Sequence, residues 1–475
     1  MHSSVLFLFA TCLPPVWLMD LKALDEFVNL PDPHYEYTFL KRKTNQFFVR
    51  IVNTDLINMT SQKWLNESEV DKPIWCHNLT ICVPKVPRIV DSCLLIIRDG
   101  GNNSPDPIQM AKSTIKAIET KSVVALLKQL PAQPLTFYDH PLGHKNITGF
   151  NIFAYSWWKF INDPTAPPDQ LAQFPMVKAV VRAMDTIVHY MKKEYHRDIR
   201  RFTLMGVYSS GWIAWLTAAV DKRVEAITTI GMDFLNFNES FHHQYRAYCG
   251  WSYLLRSFYE MNITQELDNP RFSELASHVD PMAYSDRYKE KAKYIVVFSG
   301  DEFSLPDNSH YYMSQLEGVK YLQIIPNVDY QVQRELKYLN RILVFYAELI
   351  NKKLGSYRVS WEITMTNTSA IITVVAYNVY RVYSHHADTV DSTRKEMFIG
   401  KKCKYQKKDG VASSFRTAEV YLQEKMLNGI AISSQVLYPD YGGSLRFTAT
   451  SEMAILPDTY PCPDCNEEEC HGTLV

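Results

Sequence analysis

With 475 residues, 46% of them hydrophobic and 21% charged, the chain has the make-up of a globular protein and is long enough for two or three domains. Fifty Lys and Arg stand against 51 Asp and Glu, a net charge of −1. That balance leaves no electrostatic case for nucleic acid or an anionic membrane surface as a partner.

The first residues, MHSSVLFLFATCLPPVWLMD, carry an apolar run from Val5 to Leu13 with Pro14 and Pro15 behind it. The run resembles a secretory signal, placed here at residues 1–19. No Lys or Arg precedes it and no small-x-small cleavage site follows, so a buried amino-terminal segment is the other reading. No other apolar run reaches the ~18 residues a bilayer crossing needs. Two further features point to export. Sequons begin at Asn58, Asn66, Asn78, Asn102, Asn146, Asn238, Asn262 and Asn367, acceptors for glycosylation in a secreted chain. Beyond Cys12 there is an even set of cysteines, Cys76, Cys82, Cys93, Cys249, Cys403, Cys462, Cys465 and Cys470. These are disulfide candidates, and their pairing is open because eight cysteines allow 105 connectivities. Cys462, Cys465, Cys470 and His471 also outline a zinc knuckle. No second ligand pair at zinc spacing lies nearby, so no metal and no cofactor are expected.

Asp25–Leu40 leads into a strand, and Gln46–Thr54 and Pro73–Val86 read as strands. Ser92–Ile97 (SCLLII) is a buried strand running into Arg98-Asp99-Gly100-Gly101. Such a turn can supply a backbone donor to an oxyanion hole, although a Gly pair is more often only a turn. Lys112–Thr120 reads as helix, Ser122–Leu130 as a buried strand, and Phe150–Ile161 is aromatic-rich. Leu171–Tyr195 is a long amphipathic helix in which Met176, Val180, Met184, Ile187 and Met191 recur at helical spacing, the mark of core packing.

Arg201–Asn236 then reads as strand, tight turn, helix and strand, with the turn spelled Gly206-Val207-Tyr208-Ser209-Ser210-Gly211. It has the outline of a nucleophile elbow, yet no Ser in it has Gly at both −2 and +2. Asn238–Asp280 is helical and polar, suited to a cap. Ala292–Ser299 and Lys320–Ile325 are strands, and Glu335–Lys352 is a closing helix. This alternation predicts an α/β fold, a doubly wound and mostly parallel sheet over residues 20–354. From Tyr357 to Ile455 the segments are short, alternating and β-branched, which predicts a smaller antiparallel β-sandwich over residues 355–458. A Cys-containing tail, 459–475, follows.

The stretches LDEFVNLPDPHYEY, PIWCHNLTICVP, LLIIRDGG, IFAYSWWKFI, GWIAWLTAAVDKRVEAI, VDPMAYSDRY, GDEFSLPDNS and FTATSEMAILPDTYP together resemble the PhoPQ-activated pathogenicity-related (autocrine proliferation repressor-like) family. They occur in the family's order across most of residues 24–460. The resemblance implies an α/β-hydrolase domain followed by a β-rich one. The family's elbow reads Gly-Ala-Ser-Lys-Arg-Gly-Trp; Gly206, Gly211 and Trp212 match it, and Tyr208 stands at the Ser position. The resemblance makes Asp301 the acid, with Asp307 as alternate, and places Tyr330 at the family's His position. The oxyanion-hole positions fall at Gly100, Gly101 and Ser209.

A hydrolytic Ser must pass its proton to a positioned base as it attacks. A phenol, with an ordinary pKa of about 10, is a poor base near neutral pH. Ser209 and Ser210 lie one and two steps along the turn, rotated from the attack position. His278, His310, His242 and His243 are the imidazoles that could reach in from elsewhere. The expectation is therefore a secreted glycoprotein on a hydrolase scaffold that acts by binding an extracellular protein or receptor. The alternatives are a serine hydrolase, peptidase- or esterase-like, working with displaced groups, and a relict pocket that holds a small ligand.

Overall fold

Strands that are apolar at every position need cover on both faces, and the centre of this molecule is made of such strands. The computed structural model describes residues 23–475 except 48–49, 101–112, 114–115, 118, 330–338, 367–368, 377–380, 389–405, 410–416, 424–429, 438–446 and 457. The segment assigned to a signal, Gly101, Tyr330, Asn102, Asn367 and Cys403 therefore lie outside the described residues.

The strands β1 (Glu36–Phe47), β2 (Arg50–Lys63) and β3 (Ile74–Pro84) form an antiparallel meander. It leads through β5 (Val123–Lys128) into β4 (Ser92–Ile97), β6 (Arg201–Val207), β7 (Val224–Ile230), β8 (Ala292–Gly300) and β9 (Lys320–Asp329). From β5 to β9 every pairing is parallel. Side chains along β4 alternate between the two cores: Cys93, Leu95 and Ile97 enter one, Leu94 and Ile96 the other. The first core also takes in α1 (Ala23–Asn29), α2 (Phe150–Asn162), α3 (Gln173–Tyr195), α4 (Ser209–Val220), α5 (Phe237–Tyr248) and α6 (Pro270–Val279). The second receives α7 (Leu339–Ile350) through Ile342, Phe345 and Tyr346. This is the α/β-hydrolase fold. Met176, Val180, Met184, Ile187 and Met191 of α3 are fully buried, so the methionine stripe is packing.

The strand read at Gln46–Thr54 is two strands, with Phe47 paired to Arg50. The charged, exposed stretch around Lys41, Arg42 and Lys43 carries no apolar alternation because β1 is the edge of the sheet, where charge discourages further pairing.

Beyond residue 355 the structure is antiparallel. The strands β10 (Val359–Met365), β11 (Ser369–Ala376) and β14 (Thr417–Gln423) form a three-stranded sheet. The others, β12 (Arg381–Asp388), β13 (Gln406–Asp409), β15 (Ile430–Leu437) and β16 (Thr448–Thr450), extend the central sheet past β9, while β17 (Ala454–Leu456) pairs β15. The join is Thr450 beside Leu322, and the Thr450 hydroxyl accepts from the Ile324 N–H at 2.9 Å. The last parallel strand is thus spared an open edge.

The tail returns to the helices. Cys249, which caps α5, is bridged to Cys462, and Cys465 is bridged to Cys470. Trp251 N–H donates to the Thr473 carbonyl and Val475 N–H to the Trp251 carbonyl. Of the other cysteine candidates, Cys76, Cys82 and Cys93 stand as thiols among the described residues. Cys76 and Cys82 share β3, and Cys93 is sealed inside β4, where burial pushes its thiol pKa up. The bridges also consume the three sulfurs of the zinc-knuckle outline, and a disulfide offers no thiolate to a metal. No helix among the described residues is long and apolar enough to cross a membrane.

Candidate functional site at the turn between β6 and α4

The turn is built as a nucleophile elbow. Tyr208 has φ 47° and ψ −117°, a conformation that costs a non-Gly residue on the order of 1–3 kcal/mol and persists only where its surroundings impose it. Those surroundings are small by necessity. A Cβ on Gly206 would lie 2.2 Å from the Ser210 carbonyl oxygen, and one on Gly211 would lie 2.9 Å from Met232 Cβ. Tyr208 N–H is held by the Ile230 carbonyl, and its own carbonyl accepts from Trp212 N–H. The small residues thus flank Tyr208, with Gly206 at −2 and Ser210 at +2, and it is Tyr208 that occupies the nucleophile's place.

Its side chain does not project into open space. Tyr208 is 5% exposed, and its ring lies across the backbone of Gly231 and edge-on to Phe303. Phe303 in turn stacks on Phe150 and Phe234, which gives the elbow an aromatic lining. The phenol donates to Asp301 Oδ2 at 2.5 Å. In a hydrolytic triad an imidazole sits between the alcohol and the acid; here the phenol reaches the acid directly.

Asp301 follows β8 and is completely buried. Its Oδ1 accepts from the N–H groups of Phe303 and Ser304 at 2.9 and 3.3 Å. Burial pushes its pKa up to about 7, against the pull of the Tyr208 hydroxyl and the two N–H donors. Asp233, just past β7, is also buried and accepts from the Tyr312 hydroxyl. Burial, reinforced by Asp301, Glu452 and Asp307, holds its carboxyl well above the usual range. Sequence reasoning missed Asp233; the available cue was a carboxylate at the C-terminal end of a buried parallel strand, where α/β folds place their ligands.

The alternate acid, Asp307, belongs to a second cluster. It is bonded through Oδ1 to His243 Nε2 at 2.9 Å, and His243 Nδ1 meets the hydroxyls of Tyr460 at 3.0 Å and Tyr311 at 3.2 Å. Both nitrogens of this buried imidazole are engaged. Beside it is a cavity of about 400 Å3 bounded by Arg246, His310, Tyr311, Tyr460, Met365 and Met453. Of the other imidazoles, His242 pairs with Asp464, His278 packs edge-on between Phe160 and Phe174, and His310 is exposed.

Gly100, with φ 131°, follows β4, the strand next to β6, past its C-terminal end and so stands on the elbow's side of the sheet. Ser209 opens α4, so its N–H points out of a helix N-terminus. Ser210 is buried. β9 ends at Asp329, which pairs with Gly300, the residue before the acid. Of the sequons, Asn58, Asn66, Asn146, Asn238 and Asn262 are exposed; Asn78 is half-buried and donates to Gln129.

The family described as PhoPQ-activated pathogenicity-related protein matches residues 24–395. Autocrine proliferation repressor protein A of Dictyostelium discoideum is 30% identical over 479 residues, covering 94% of this chain and 93% of its own. Among solved structures, acetyl xylan esterase 1 from Thermoanaerobacterium overlays with a TM-score of 0.46 at 13% identity, over 69% of this chain and 91% of the esterase. A glucuronoyl esterase from Solibacter usitatus gives 0.41 at 12%, over 69% and 91%. By the extent of both the family match and the amoebal relative, the chain belongs to the PhoPQ-activated pathogenicity-related protein family.

Proposed function

We propose that this chain is a secreted glycoprotein that keeps an α/β-hydrolase scaffold without its reaction and acts by binding an extracellular protein or receptor. The observation that carries the reading is Tyr208: it holds the nucleophile's backbone conformation and spends its hydroxyl on the acid. With its hydroxyl committed to the acid in a buried site, the phenol is not presented to a substrate as a nucleophile must be. Five exposed sequon asparagines, two disulfides and the amino-terminal apolar run support export. The amoebal relative is, by name, a proliferation repressor, which supports a signalling rather than a metabolic role.

The test is a fluorophosphonate probe on purified protein. We expect no adduct, and a stoichiometric adduct on Ser209 or Ser210 would sink the reading. The companion variant Tyr208→Ser with Tyr330→His restores the family's alcohol and imidazole, and a gain of esterase activity is expected only with both changes.

A second reading, hydrolysis through displaced groups, draws on one observation, the buried His243–Asp307 pair. Against it, Asp307, Tyr460 and Tyr311 already engage both ring nitrogens, so the imidazole must shed a partner before it can serve as a base. Probe labelling that is lost in His243→Gln would favour this alternative.

A further inference from the structure

At the pole of the sheet opposite Tyr208, where β4 and β5 begin and β3 ends, lies a groove of about 580 Å3. Four exposed cations line it: Arg50 at the start of β2, Lys85 and Arg88 beyond β3, and Lys121 ahead of β5. Among the described residues, no carboxylate is in its walls. The segments that carry the cations are stitched together, with Lys85 N–H on the Ile51 carbonyl at 2.9 Å and Arg88 N–H on the Lys121 carbonyl at 2.8 Å. Behind the wall a fifth cation, Arg197, donates to the carbonyls of Pro84 and Lys85. Among the described residues, Glu119 lies within electrostatic reach of Lys116 and Arg50. Exposed Val86, with half-buried Ile51 and Pro87, provides apolar surface between the charges.

A chain of net charge −1 thus gathers five cations at one end. Like charges so placed repel one another at a cost that a bound anion relieves. A single small anion reaches only one or two of them, and a planar lipid surface meets only the rim of a groove. An elongated ligand with several anionic groups, joined by a framework that can lie on the apolar surface, meets all of them.

We infer that this groove binds an oligosaccharide or cyclitol bearing several sulfate or phosphate esters. The inference is independent of the chemistry at Tyr208. The test is calorimetry on the full chain with three probes: a heparin hexasaccharide, inositol hexakisphosphate, and vesicles containing phosphatidylserine. We expect one or both soluble polyanions to bind, and whichever binds identifies sulfate or phosphate as the source. With four contacts, log K falls against log salt with a slope of about −3, by analogy with counterion release from other polyanions. Lys85→Glu with Lys121→Glu should weaken binding more than tenfold. The charge-matched Lys41→Glu with Lys145→Glu, exposed positions outside the groove, should change it less than twofold. Far-UV circular dichroism and Tm verify that both variants are folded. The inference is overturned if neither soluble probe binds, if both double variants lose affinity equally, or if vesicles bind while the soluble probes do not.

Discussion

Asp301 and Asp307 lie on the same loop after β8, and each is bonded to a ring. The ring on Asp301 is a phenol delivered by the elbow; the ring on Asp307 is an imidazole delivered by α5. Alcohol, imidazole and carboxylate are therefore all present close to the C-terminal ends of β6, β7 and β8. They are connected in parallel, as two acid–ring pairs, where hydrolysis requires them in series. The components of a catalytic relay do nothing for catalysis unless the proton has one continuous path from nucleophile to base.

The first way to break this comparison is Tyr208→Ala. It empties the volume of a buried ring and takes a donor from Asp301, so a loss of about 3–5 kcal/mol is expected, typical of large-to-small core changes, measured by urea unfolding. A loss below about 1 kcal/mol would show that the ring is not a structural partner of the acid. The second uses pH. Asp301 has a folded pKa of about 7 against an ordinary 3.8. Between those values the folded chain keeps a proton the unfolded chain has released. Stability from this group is therefore present below about pH 4 and lost as pH rises to about 7, by at most about 4 kcal/mol. Asp280, raised to about 6 by burial, acts in the same direction. Asp301→Asn should make the fall of Tm over that window shallower, and an unchanged slope would contradict the assignment. The smallest effect is expected from His243→Gln, about 1–2 kcal/mol for altered buried hydrogen bonds. It should leave the Asp301-dependent slope intact, which keeps the two acids energetically separate.

Much of the fold was legible because β4 to β8 are continuous apolar runs spaced by helical periods. The elbow was legible because Gly206 and Gly211 meet steric demands that no other residue satisfies. What stayed hidden depends on contacts distant in sequence. Thr450 meets Leu322, Cys249 meets Cys462 and His243 meets Tyr460, and no local pattern announces any of them. The cationic groove is hidden for the same reason, since Arg50, Lys85, Arg88 and Lys121 come together only through the turns of three strands. That Tyr208 stands in the elbow could be read from the sequence; that the phenol reaches all the way to Asp301 could not.

The ring of Tyr208 rests where another residue has no side chain. A methyl on Gly231 would sit 2.5 Å from Tyr208 Cζ, closer than atoms can approach. Gly231 is the floor on which that ring rests. Its φ of 66° already favours glycine, so the backbone and the clearance make the same demand. The phenol is therefore a fitted stopper, and the seat that receives it follows β7, while the turn that carries it follows β6.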